Sequence, residues 1–248
     1  MATIGTGKHT YELVENWAKL PDGWVLGQTA IVTDSQDRVY CFNRAPDHPV
    51  MIFDRDGNLL DSWGNGAFEF AHGIHIADDI IYVTDRNTSV CIMYTLDGKP
   101  IQMLGRHGVH SDTGCENPGD LCPRAAGPFN YPSEMVPSPS GDLYVSDGYR
   151  NARVHRFTAD GELKHSWGQP GKTEPGHFHL PHSLLVDADS TVFVCDRENH
   201  RIQVFDGDGG FQASWTDIQR PMDISQDKDG ILYVSEGTRD DAPSRFSI

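Results

Sequence analysis

A repeat constrains this chain more than any other feature. Apolar runs ending in an acidic or amide residue recur along its 248 residues: DRVYCFN, DIIYVTD, GDLYVSD, STVFVCD and GILYVSE. Their aromatic residues are Tyr40, Tyr82, Tyr144, Phe193 and Tyr233, at steps of 42, 62, 49 and 40. D-G turns at Asp56-Gly57, Asp97-Gly98, Asp160-Gly161 and Asp208-Gly209 keep the same beat, with closing strands LLDSWG, PIQMLG, LKHSWG and FQASW after them. Each unit holds about four short strands joined by tight turns, the content of a β-propeller blade. Blades stack on neighbours through both sheet faces, which explains runs that are apolar on both sides. A Greek-key sandwich predicts no such self-similarity. The expected fold is all-β: one propeller domain over 1–248, with four-stranded blades starting near 25, 68, 129, 178 and 220. The long step carries an insertion, 106–128, rich in Gly, Pro, His and Asp, which reads as a loop.

The fifth unit ends after its third strand. The N-terminal stretch YELVENWAKL, residues 11–20, has the look of a closing strand. Two readings follow. Either this N-terminal strand completes the last blade and closes a five-bladed ring, or a sixth blade is missing and the chain is C-terminally incomplete. An open ring would leave two apolar blade faces uncovered.

Charge narrows the partners. The chain has 20 Lys+Arg against 36 Asp+Glu, a net charge of −16. Such a surface opposes nucleic acid, which needs a basic face, and anionic membranes. No run approaches the roughly 18 apolar residues of a membrane span, and the first residues show no apolar signal segment. Five cysteines are no disulfide framework. Cys41, Cys91 and Cys195 sit in apolar runs as small hydrophobes, whereas Cys115 and Cys122 share a Gly/Pro loop and could bridge. The expected location is cytoplasmic.

The innermost strand of each blade lines the channel, so equivalent positions face the axis at one level. That position reads Thr29, His72, Ser133, His182 and Met222 in blades one to five. Imidazoles from alternate blades suggest a shared metal, since zinc takes neutral His and its catalytic sites usually have three protein ligands. Water-bonded channel histidines are the plainer alternative. The Asp-rich turns lack the Gly and Glu placement of a calcium loop and suit hairpin turns.

Several phrases go further: Asn130-Tyr131-Pro132-Ser133, SDGYRNAR over 146–153, Pro181-His182-Ser183-Leu184 and DRENHRIQ over 196–203. With them the chain, from about Gly27 onward, resembles NHL-repeat propellers, and more specifically the peptidyl-α-hydroxyglycine α-amidating lyase family. The resemblance implies a six-bladed propeller whose channel zinc is held by three His from blades two, four and six. His72 and His182 match the first two; the third belongs to a blade this sequence lacks. It implies a structural calcium on the main-chain carbonyls of Ile31 and Ile74 and on a blade-six carboxylate. It implies Tyr149 as the catalytic tyrosine, and Arg44 and Arg197 as catalytic arginines that hold the substrate carboxylate. The implied reaction cleaves the C–N bond of an N-acyl-α-hydroxyglycine to an amide and glyoxylate. An ordinary Tyr titrates near ~10, so neighbouring positive charge must help it act as a base. The Arg residues have a structural alternative, because D-R-x-N patterns often bond between blades; Asp85-Arg86-Asn87 repeats part of it.

The first expectation is therefore a zinc lyase acting on a small molecule or peptide that bears a carboxylate. A non-catalytic propeller that docks a protein or ligand is the alternative. A calcium lactonase is a third, which needs carboxylates or amides on the inner strands.

Overall fold

The computed structural model describes residues 3–45, 47–238 and 245–247. Its sheets follow the repeat. Blade one is Thr29–Thr33, Val39–Asn43, Val50–Phe53 and Leu59–Trp63. Blade two is Ala71–Ala77, Ile80–Asp85, Val90–Thr95 and Pro100–Gly105. Blade three is Pro132–Pro137, Leu143–Asp147, Arg153–Phe157 and Leu163–Trp167. Blade four is Pro181–Val186, Val192–Asp196, Arg201–Phe205 and Phe211–Trp215. Blade five shows three strands among the described residues, Pro221–Gln226, Leu232–Glu236 and Arg245–Ser247. All are antiparallel meanders in chain order. The architecture is a β-propeller, and among the described residues no helix is long and apolar enough to cross a membrane.

The core lies between sheets. Tyr40, Phe42 and Ile52 of blade one interlock with Ile74, Ile81 and Val83 of blade two. Tyr82 and Met93 then meet Met135 and Val145 of blade three. Tyr144 and Val154 meet Leu184 and Val194 of blade four, and Phe193 and Ile202 meet Ile224 and Val234 of blade five. The aromatic residue that marks each of the first four units, Tyr40, Tyr82, Tyr144 and Phe193, thus reaches toward the following blade, where its burial supplies a large hydrophobic gain.

The acid or amide at the end of each central run has one task that repeats. It accepts a backbone N–H from the segment entering its own inner strand. Asn43 takes Gly27 N at 2.9 Å, Asp85 takes Phe70 N at 2.9 Å, Asp147 takes Asn130 N at 3.0 Å and Asp196 takes His179 N at 2.8 Å. Glu236 takes Gln219 N in blade five. All five side chains are buried, so these bonds offset the desolvation of a polar group and fix where the inner strand begins.

Among the described residues, 11–20 adds no strand to the last blade, although Tyr11 OH lies 3.4 Å from Tyr233 OH of blade five. Thr3–Thr6 and His9–Glu12 pair with each other, and no strand of this segment joins blade five among the described residues. Trp17, Ala18, Leu20, Trp24 and Leu26 instead cover Cys41, Met51 and Phe53, the face of blade one turned away from blade two. The Trp17 ring packs at a tilt against Phe53, centroids 5.6 Å apart, and its Nε1 donates to Arg55 O at 2.9 Å; Lys19 pairs with Asn58. A Cβ on Gly57 would lie 1.8 Å from Trp17 O, so the hairpin glycine makes room for this cover. The cause is an uncovered apolar face next to a tryptophan-rich segment, a stronger pull than the likeness of ELVENW to a closing strand.

The 106–128 insertion holds no strand. It is pinned by Gly119 N to Tyr149 O at 2.7 Å and by His179 Nε2 to Gly119 O at 3.1 Å. Cys115 and Cys122 are buried free thiols, each with its Sγ 3.8 Å from Asp120 O.

Candidate functional site

Thr29, His72, Ser133, His182 and Met222 all line one cavity of about 590 Å³, together with Ile31, Ile74, Arg44, Tyr149 and Arg197. In blades two to five the inner strand breaks register at this level, between Ala71 and Ile74, Pro132 and Glu134, Pro181 and Leu184, and Pro221 and Asp223. Blade one keeps regular pairing. A bulge places an extra residue against its partner strand and turns the local side chains. Both His72 and Gly73, Ser133 and Glu134, His182 and Ser183, and Met222 and Asp223 therefore reach the cavity. Strict alternation along a strand misses the second of each pair, which is why Glu134 and Asp223 did not enter the sequence reading.

Two imidazoles converge on one phenol. The His72 and His182 ring centroids are 4.9 Å apart. Tyr149 OH lies 3.1 Å from His72 Nε2 and 3.0 Å from His182 Nε2. Each ring is held from behind by the next blade: His72 Nδ1 donates to Ser133 O at 2.8 Å, and His182 Nδ1 to Met222 O at 2.6 Å. Ser133 and Met222 occupy the same repeat position as the histidines, so the periodicity builds the support as well as the site. The carbonyls fix the tautomer with the proton on Nδ1 and the lone pair on Nε2. Burial pushes the His72 pKa down to about 3, with the Arg44 charge adding to it; burial and His72 push His182 well below the ordinary range. Both rings are neutral at physiological pH.

The hydrogen count at this point is short by one. Two Nε2 lone pairs face an oxygen that carries a single proton, and Arg197 NH1 also donates to that oxygen at 3.2 Å. One buried acceptor is left without a donor, the condition that a bound cation relieves. Neutral imidazoles with Nδ1 tied to carbonyls are the donor type zinc takes. His72 and His182 thus fit as two ligands of such an ion. Among the described residues no group of three His, Cys, Asp or Glu completes a metal set. Ile31 and Ile74 lie on neighbouring inner strands and both line the cavity.

Tyr149 reaches the axis because Gly148 precedes it. A Cβ on Gly148 would lie 2.1 Å from Pro181 O, so only glycine fits where blades three and four touch. Arg44 and Arg197 combine both roles weighed for them. Arg44 Nε donates to Ala71 O of blade two at 3.1 Å and a further nitrogen to Gln28, while its side chain still lines the cavity. Arg197 is buried, bonded to Tyr149 and paired with Glu198 at 2.9 Å.

Sequence reasoning left Arg86 to a structural role. Its guanidinium lies 4.6 Å from the Tyr149 ring centroid and 3.7 Å from that of Phe70. The signal was available: Arg44, Arg86 and Arg197 each follow the residue that ends a central run, in blades one, two and four. In the same cavity Ser183 Oγ donates to Asp223 Oδ1 at 2.7 Å, and burial with the Asp223 charge pushes the Glu134 carboxyl well above its ordinary range.

A family model described as NHL repeat matches residues 178–205, which run into and through most of blade four. The chain is 30% identical over 245 residues to human NHL repeat-containing protein 3, covering 92% of this chain and 67% of that protein. It is 28% identical to a Caenorhabditis elegans protein named probable peptidyl-alpha-hydroxyglycine alpha-amidating lyase, covering 80% of this chain and 57% of the relative. The chain therefore spans between about half and two thirds of the length of these relatives. Among solved structures, a gluconolactonase from Xanthomonas campestris superposes with a TM-score of 0.63 at 18% identity, over 84% of this chain and 69% of the other, a likeness of fold alone. With the repeat, the stacked sheets and these relatives together, the chain belongs to the NHL-repeat family of β-propellers that includes NHL repeat-containing protein 3, and it is similar to the peptidyl-α-hydroxyglycine α-amidating lyases.

Proposed function

We propose that the chain is a carbon–nitrogen lyase that cleaves an N-acyl-α-hydroxyglycine-like carbinolamide, R-CO-NH-CH(OH)-COO⁻, to an amide and glyoxylate. The observation that carries this reading is the phenol oxygen of Tyr149, held at 3.0–3.2 Å from two imidazole nitrogens and one guanidinium nitrogen in a cavity with Arg44. Arg44 and Arg197, which both line the cavity, supply the positive charge for the substrate carboxylate. Tyr149, acting as the phenolate that Arg197 faces, takes the hydroxyl proton; the C–O bond becomes C=O; the C–N electron pair goes to nitrogen, which takes that same proton back from Tyr149 and leaves as the amide. Arg197, donating to the phenol oxygen, stabilises negative charge there. His72 and His182 would hold zinc, which when bound polarises the substrate hydroxyl as a Lewis acid. A structural calcium on the Ile31 and Ile74 carbonyls belongs to the same proposal.

The test is release of glyoxylate from α-hydroxyhippurate by the purified protein. The expected outcome is zinc-dependent release that falls about 10²–10⁴-fold in Tyr149→Phe, the usual range for a lost proton-transfer group. No glyoxylate from the zinc-loaded protein would overturn the reading. That result would favour a non-catalytic propeller that docks a ligand or protein, a reading in keeping with a human relative named only for its repeats.

A further inference from the structure

Three guanidiniums surround the phenol of Tyr149. Arg197 lies 5.2 Å from its ring centroid and Arg86 4.6 Å. Arg44 lies 4.6 Å from the Phe70 centroid, the ring on which Arg86 also stacks at 3.7 Å. Arg86 further sits 5.5 Å from Tyr131, which faces Arg150 at 5.1 Å on its way to the insertion. Arg44, Phe70, Arg86, Tyr131 and Arg150 thus form an alternating series of cations and rings that starts at the cavity-lining Arg44.

The charges in this series are not balanced from within. Arg197 is neutralised by Glu198, which also pairs with Arg220 at 2.7 Å. Among the described residues no carboxylate lies within ion-pair distance of Arg44 or Arg86. Arg86 Nε and one terminal nitrogen share the neutral oxygen of Asn87. Both guanidiniums are half-buried, and like-charge repulsion among Arg44, Arg86 and Arg197 adds to that burial. Two uncompensated, partly desolvated cations side by side are costly. In a chain of net charge −16 they are also conspicuous. The cavity acids, Glu134 and Asp223, come from blades three and five, and neither is ion-paired with these arginines. Arg44 lines the cavity, and Arg86 lies behind that lining against Phe70 and the Tyr149 ring.

We infer that Arg86 forms a second anion subsite beside the carboxylate position of Arg44 and Arg197, and that the site takes dianions: a substrate with two carboxylates, the second at Arg86. As a statement about substrate, this rests on the lyase reading; as a statement about binding, it does not. The repeat supports it, because Arg86 holds in blade two the position that Arg44 and Arg197 hold in blades one and four.

Calorimetric titration of the purified chain with malonate and with acetate, at equal ionic strength, reads the subsite directly. The expected result is malonate binding at least about tenfold tighter than acetate, with that ratio falling to about one in Arg86→Gln. Arg55→Gln, a change at an exposed arginine of a blade-one turn, should keep the ratio. Equal affinities in the unaltered protein, or an unchanged ratio in Arg86→Gln, would overturn the proposal, and the first of these needs no variant to fold. A second arm compares glyoxylate release from N-succinyl- and N-butyryl-α-hydroxyglycine, with the dianion expected to have the higher kcat/KM by about tenfold. If neither is cleaved the lyase reading fails, while the malonate ratio still decides the subsite.

Discussion

Blade one and blade two carry isoleucine at the same repeat position and treat it in opposite ways. Ile74 is 5% exposed, pressed between the two sheets; Ile31 is 61% exposed, because no blade precedes it among the described residues. The inner strand of blade two also bulges at its histidine, while that of blade one pairs in regular register through Thr29. Sequence position within a blade therefore does not set a residue's role. The following blade does, by supplying the carbonyl that aims the ring, and the preceding blade does, by supplying the cover. The N-terminal segment replaces only part of that cover: it shields Cys41, Met51 and Phe53 and leaves Ile31 to solvent.

This contrast can be broken at the site first. His72→Ala and His182→Ala should each lower glyoxylate release about 10³-fold or more, whereas Thr29→Ala, the same position in blade one, should change it less than about threefold. Equal losses at 29 and 72 would show that position alone matters. In the core, Ile74→Ala should cost about 2–5 kcal/mol and Ile31→Ala less than about 1 kcal/mol in urea unfolding, since only the first leaves a cavity. Similar values would mean that the blade-one face is covered.

The histidines also predict an acid-side loss. An imidazole with its folded pKa depressed to about 3, against an ordinary 6.5, is neutral when folded and takes up a proton when unfolded. Stability is then fully present above pH 6.5 and declines as pH falls toward 3. At pH 5 in chelator, His72 alone should account for about 2 kcal/mol of that decline. A His72→Gln variant should show a shallower loss between pH 7 and 5; an identical slope would argue that the ring is charged in the fold.

Much of the architecture was legible because a propeller writes its period into the chain. The aromatic of each of the first four central runs reaches toward the next blade, and the acid or amide that ends each run anchors the inner strand. His72, His182 and Tyr149 were legible as separate positions, and the structure brings them within hydrogen-bonding reach. Two things were not. Bulges are register changes that no alternation pattern reports, so Glu134 and Asp223 stayed hidden. The packing of 17–26 on blade one is a contact between distant segments, and local likeness to a closing strand pointed elsewhere.

At the centre of the site two neutral imidazoles and one phenol share a point that lacks a proton. Zinc titration of the chelator-treated chain by calorimetry probes that point directly. One zinc per chain, lost in His182→Ala with the fold retained by circular dichroism, is the predicted result. No uptake by the unaltered protein, or undiminished uptake by His182→Ala, would contradict it.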